Sequence, residues 1–175
     1  MLKLRRQHDF DWRDCKEIVV GIPSAGIGIV AEPAEAKRAP RSVVDAQFSL
    51  PFAVAVALIH GRAGLDEYQP EVIASDAVRE VMERVECVGD AELDRHYPGQ
   101  WRAWATVVTS GGTMESRVDV PKGDPGNALS QVEVRAKFDH LTAKTYTPQQ
   151  QEAVVEAVMQ MGRQRPMVAS QPRCK

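Results

Sequence analysis

Four histidines, three cysteines and a serine at the head of an apolar run are the side chains in this chain best suited to moving protons, attacking carbonyls or holding metals. Their spacing argues against each chemistry in turn. His8, His60, His96 and His140 stand far apart, and none has a partner four residues away, as a helical metal site would. His60 closes an apolar stretch, where a cation would suit the negative end of a helix. Cys15, Cys87 and Cys174 are odd in number and form no C-x-x-C pair, so neither a zinc site nor a disulfide framework is indicated. Reduced, packed thiols are the expectation. Ser49 lacks the G-x-S-x-G elbow of a hydrolase nucleophile.

Other chemistries also fall short. Gly26 to Ala31 reads GIGIVA, a match to G-x-G-x-x-A after a strand. A dinucleotide loop needs a helix to open within that motif. Pro33 and Pro40 interrupt the residues beyond it, and GIV favours a strand, so the glycines are expected to serve turns or a bulge. Trp101 and Trp104 would suit base stacking only beside a basic groove. The net charge is -2, with bases and acids interleaved, so core packing is expected of both and no nucleic-acid partner is implied. Lys37, Arg38 and Arg41 would suit charge-assisted contacts to a small carboxylate, or simply a solvated loop. No nucleophile–base pair, metal cluster or phosphate loop is complete, and no cofactor is implied.

The elements that must position these residues can be read from pattern. LKLRRQHDFDWRDC begins as a helix at its second residue, and EIVVGI reads as a strand. Residues 31 to 44 hold two prolines and mixed charge and are expected to form a surface loop. Residues 45 to 61, DAQFSLPFAVAVALIHG, predict one helix, with Pro51 in its first turn and Gly61 at its end. SDAVREVMERV predicts the next helix and ECVGD a short strand. RAWATVVTS and TMESRVDVP, around Gly111-Gly112, predict an antiparallel hairpin. Ala105 and Val107 should face one side, with Trp104, Thr106 and Val108 on the other. Ser130 with Glu133 forms a capping-box pattern, and Thr147-Pro148 opens a last helix.

A chain of 175 residues suits one domain with a real core, and its 43% hydrophobic and 26% charged residues are those of a globular protein. The expected architecture is α+β, a two-layer sandwich with a mainly antiparallel sheet and helices on one face. Residues 1–162 are expected to form a single domain and residues 163–175 a flexible tail. The N-terminus shows no signal-peptide pattern, and the longest apolar run, Leu50 to Ile59, is too short to span a bilayer. A cytoplasmic protein without a membrane partner is the expectation.

Three blocks in order carry a resemblance: VVDAQFSLPFAVAVALIHGRAGLDEY, VREVMERVECVGDAELD and VDVPKGDPGNALSQVEVRAKF. Together they resemble the C-terminal domain of the MmgE/PrpD family, which includes 2-methylcitrate dehydratase, cis-aconitate decarboxylase and iminodisuccinate epimerase. The similarity runs from about Leu2 to about Met161. It implies a lid domain with a chorismate-mutase-like sandwich, set against a large helical domain. It also implies general acid/base chemistry on small polycarboxylates without metal or organic cofactor, and homodimers, so that the partners are a substrate, a second copy or a separate helical chain.

For the site, the resemblance implies that the polar start of the 45–61 helix lies at the substrate cleft. Some members have a substrate-facing tyrosine at the position of Phe52, where this chain lacks the hydroxyl. Phe52, Gln47 and Ser49 are therefore the substrate-cleft candidates. The other reading is that Phe48 and Phe52, four apart, are simply core. The family's lysine and histidine, placed before the first helix, would fall ahead of Met1, and His8 is not their equivalent. The expectation is a lid that is inactive without the helical domain. The alternative is a free-standing lid that acts as a dimerisation or protein-binding module.

Overall fold

The computed structural model describes residues 1–8 and 10–161. These fall into two compact units, one ending at Ala128 and the other starting at Leu129. Residues 163–175, expected to form a tail, lie outside the described residues, as does Cys174.

The first unit opens with helix α1 (Leu2–Gln7), then strand β1 (Cys15–Ile22). A run of helices comes next: α2 (Ser24–Val30), α3 (Ala34–Arg38), α4 (Val43–Gln47), α5 (Leu50–His60), α6 (Pro70–Ile73) and α7 (Asp76–Glu83). Strand β2 (Val85–Gly89), helix α8 (Ala91–Asp94) and the hairpin β3 (Ala103–Thr109) and β4 (Gly112–Val118) complete it. The sheet runs β2-β1-β3-β4. β1 pairs parallel with β2 through Ile18↔Val85 to Ile22↔Gly89, which the long helical crossover between them permits. β1–β3 and β3–β4 are antiparallel. The class is the α+β sandwich expected, with a mixed sheet.

The hairpin alternates as expected. Ala105 and Val107 are buried beside Ile18 and Val20, and α5 and α7 pack into the same core. α5 is apolar nearly all round, and seven of its residues are buried, as a central helix requires. On the opposite face Trp104 lies over Gly21. A Cβ at Gly21 would sit 2.1 Å from the indole, so only glycine lets the ring close down. The two-residue turn falls one position earlier than the glycine pair suggested: Thr109 pairs with Gly112, which takes φ 130° as the first residue of β4.

Three expectations need correction. Residues 31 to 44 are a loop only in part, because α3 and the start of α4 occupy 34–38 and 43–44. Pro33 stands just before α3 and Ser42 caps α4 through Asp45 N–H, so both read as helix starts rather than breaks. GIGIVA is neither turn nor bulge but most of α2, packed on β2, where tertiary contact overrides its strand preference. Trp101 is exposed rather than core, and meets Tyr97 edge-on at 5.0 Å.

The second unit is a helical hairpin, α9 (Gln131–Thr142) and α10 (Pro148–Met161). Its caps are those read from the sequence. Ser130 and Glu133 exchange hydrogen bonds at 3.2 and 2.8 Å, and Thr147 and Gln150 at 3.3 and 2.8 Å. Polar links tie the helices together. Gln151 donates to the Asp139 carbonyl and to Thr142 Oγ1, both at 2.9 Å, and Arg135 bridges Asp139 and Glu152 at 2.8 Å.

Candidate functional site

The segment expected to be one helix from residue 45 is two. α4 stops at Gln47, Phe48 is its C-cap, and Ser49 starts α5. The elbow is built from polar contacts. Ser49 Oγ accepts from Phe52 N–H at 3.0 Å and donates to the Lys37 carbonyl. The Lys37 ammonium donates to the carbonyls of Ile29, at 2.6 Å, and Phe48, at 2.8 Å. One lysine thus ties the end of α2 to the elbow, where helix-terminal carbonyls favour a cation.

The break decides where each candidate side chain goes. In a continuous helix Phe48 and Phe52 would share a face. Restarting at Ser49 shifts the phase and parts them. Phe52 is 0% exposed, its ring edge-on to Tyr68 at 5.1 Å, and burial there raises the Tyr68 hydroxyl pKa. Ser49 is 2% exposed and spends its hydroxyl on the cap. Gln47 is exposed, and Phe48 is 50% exposed beside it, with Val44 also open to solvent. The elbow's outer surface is therefore an amide, a phenyl edge and an aliphatic side chain. Phe48 is the residue that sequence reasoning passed over as a surface candidate. Its signal was Ser49 followed by Pro51, a cap and first-turn proline that mark a new helix start.

The basic candidates divide. Lys37 is taken by its two carbonyls, and Arg38 donates to the Val85 carbonyl at 2.7 Å, covering the edge strand β2. Arg41 is exposed, and its backbone N–H meets Asp45. Asp45 is held below the usual carboxylate range, first by the Ser42 hydroxyl and then by the Arg41 N–H.

Other titratable groups serve structure. Glu67 is 2% exposed beyond the end of α5, accepting from Arg62 Nε at 2.5 Å and Gly64 N–H at 2.8 Å. Burial pushes its pKa up, but those donors outweigh burial and hold it low. Burial pushes the thiols of Cys15 and Cys87 up to about 11, which makes them poor nucleophiles. His8, His60 and His140 are exposed, and His96 lies 3.8 Å from Glu92. Among the described residues no three His, Cys, Asp or Glu side chains are grouped to hold a metal. No helix among them is long and apolar enough to cross a membrane. The elbow can thus offer a hydrogen-bonding amide and an apolar wall.

Comparison with known proteins gives this surface a context. The model of the MmgE/PrpD C-terminal domain matches residues 1–161, which takes in both units. The chain is 27% identical over 125 residues to the cis-aconitate decarboxylase-like protein oryM of Aspergillus oryzae. The match covers 70% of this chain and 25% of that protein, so the chain spans about a quarter of the length of the curated relative it matches.

Proposed function

The chain belongs to the MmgE/PrpD family, and from that premise we propose that it is the lid of a lyase or isomerase acting on small polycarboxylates. 2-Methylcitrate and cis-aconitate are the first substrates to try, the second because of the relative's printed name. The family match across residues 1–161 carries this reading. The elbow offers contacts and not a complete acid/base set, so in this reading the proton-moving groups come from the family's helical domain, joined upstream or supplied as a separate chain.

In this reading the α4–α5 elbow faces the cleft. Gln47 hydrogen-bonds a substrate carboxylate or hydroxyl, and Phe48 supplies an apolar wall that excludes water. Lys37 and Ser49 hold the elbow, and Phe52 supports it from the core. Holding both groups in place before the substrate arrives lowers the entropic cost of capture. The reaction is cofactor-independent, and the complete enzyme works in the cytoplasm as a homodimer.

The test has two parts. The purified chain should turn over neither 2-methylcitrate nor cis-aconitate. A chimera of the Aspergillus relative carrying this chain in place of its own matching region should decarboxylate cis-aconitate. Turnover by the chain alone sinks the claim of incompleteness. A folded chimera without activity sinks the lid reading.

The second reading, a non-enzymatic binding or dimerisation module, draws support from one observation: the open apolar face of the α9–α10 hairpin.

A further inference from the structure

A cavity of about 230 Å³ opens in the first unit, where the turn into α4 meets α6 and α7. Two arginines line it, Arg41 just before α4 and Arg79 on α7, and no acidic residue is among the lining residues. Both arginines are exposed, and among the described residues neither guanidinium has a hydrogen-bond acceptor or an ion-pair partner. Two neighbouring acids are committed elsewhere. Asp45 accepts from the backbone N–H of Arg41 at 3.1 Å and bonds the Ser42 hydroxyl, and the Arg41 charge is the smallest of the influences that lower its pKa. Glu80 pairs with Arg84. The rest of the lining is mostly apolar, with Pro40 and Ile73 buried and Val43 exposed.

We propose that this cavity binds a short dicarboxylate, with one carboxylate on Arg41, the other on Arg79 and the carbon chain against the apolar lining. The layout of charge decides the class. Each guanidinium presents a planar fork that matches one carboxylate bidentately, and two forks on separate elements ask for two carboxylates. The apolar lining suits the methylene groups between them. Size agrees. The cavity is smaller than the about 300–1,000 Å³ that hold drug-sized ligands, so a molecule of a few carbons fits it best. Two cations around one cavity repel each other, and a dianion replaces that repulsion with two attractions. The sequence grouped Arg41 with Lys37 and Arg38. The fold spends those two on backbone carbonyls and sets Arg79 beside the cavity in their place. The inference rests on the two arginines and not on the lid reading.

Isothermal titration calorimetry of the full chain tests it, with succinate as the probe and acetate and inorganic phosphate as comparisons. Succinate should bind at least about tenfold more tightly than either, since acetate engages one fork and phosphate lacks the carbon chain. Arg41→Gln and Arg79→Gln should each raise the succinate dissociation constant at least about tenfold, through loss of a charge-assisted pair. Both side chains are exposed, so the fold should stay intact, and far-UV circular dichroism checks this. Arg95→Gln removes an exposed charge that pairs with Glu92 outside the cavity, and should leave binding unchanged. A chain that binds no succinate at millimolar concentrations overturns the proposal. Binding that survives both cavity substitutions, or that Arg95→Gln weakens as much, overturns it as well. Acetate or phosphate bound as tightly as succinate overturns the dicarboxylate assignment.

Discussion

Replacing Ser49 by alanine should cost far more than removing a surface hydroxyl. Ser49 Oγ is buried and has two jobs: it accepts from Phe52 N–H at 3.0 Å, and it donates to the Lys37 carbonyl. Loss of the cap costs about 1 kcal/mol. The Lys37 carbonyl then loses its donor in a half-buried site, which adds about 1–2 kcal/mol. The sum is about 2–3 kcal/mol. All three tryptophans, Trp12, Trp101 and Trp104, belong to the first unit, so fluorescence-detected urea unfolding reports on this unit. With a slope of about 1–3 kcal/mol/M, the midpoint should fall by about 0.7–3 M with the slope unchanged. Ser42→Ala is the internal comparison. Its hydroxyl also caps a helix, accepting from Asp45 N–H at 3.1 Å, but it is exposed, so about 1 kcal/mol or less is expected. If Ser49→Ala costs no more than Ser42→Ala, the elbow is not held as argued.

Two further outcomes concern the first unit. Phe52→Tyr should destabilise the first unit by about 1–3 kcal/mol, since the ring is fully enclosed and a hydroxyl added there must find a partner among apolar groups. An unchanged thermal midpoint would show that the ring reaches solvent or a polar neighbour. The acid limb of stability should also depend on Trp104. Asp90 is held below the usual carboxylate range, first by the indole N–H of Trp104 at 2.6 Å and then by the Glu92 N–H. A depressed folded-state pKa gives stability that is complete above the unfolded value, near ~4, and lost as pH falls through the lower folded value. Trp104→Phe should flatten that limb in melts monitored by circular dichroism below about pH 4. An acid limb identical to that of the parent chain would rule the pair out.

Local chemistry makes much of the fold legible. The hairpin can be read because Ala105 and Val107 alternate with Trp104 and Thr106 around a glycine turn. The caps at Ser130 and Thr147 can be read because a hydroxyl followed by a glutamate or glutamine is a nearly complete description of the contact. GIGIVA misleads because its β-branched residues favour strand in isolation, while the contact of α2 with β2 decides otherwise. The candidate site is legible as a segment and not as side chains. Gln47, Ser49 and Phe52 all stand out in the sequence, but the turn between them sends one outward and two inward.

The sequence by itself determined what short-range chemistry can specify: the strands of the hairpin, where α1, α7, α9 and α10 start, the α+β class, and the kinship carried by three blocks in order. Only the tertiary structure decided the mixed sheet order β2-β1-β3-β4, the Lys37 clamp on two distant carbonyls, the parting of Phe48 from Phe52, and the open groove of the last two helices. The physical reason is range. A cap or a turn is satisfied within four residues, so its residues announce it. Burial, strand order and the fate of an exposed stripe depend on groups far away along the chain, which no local pattern encodes.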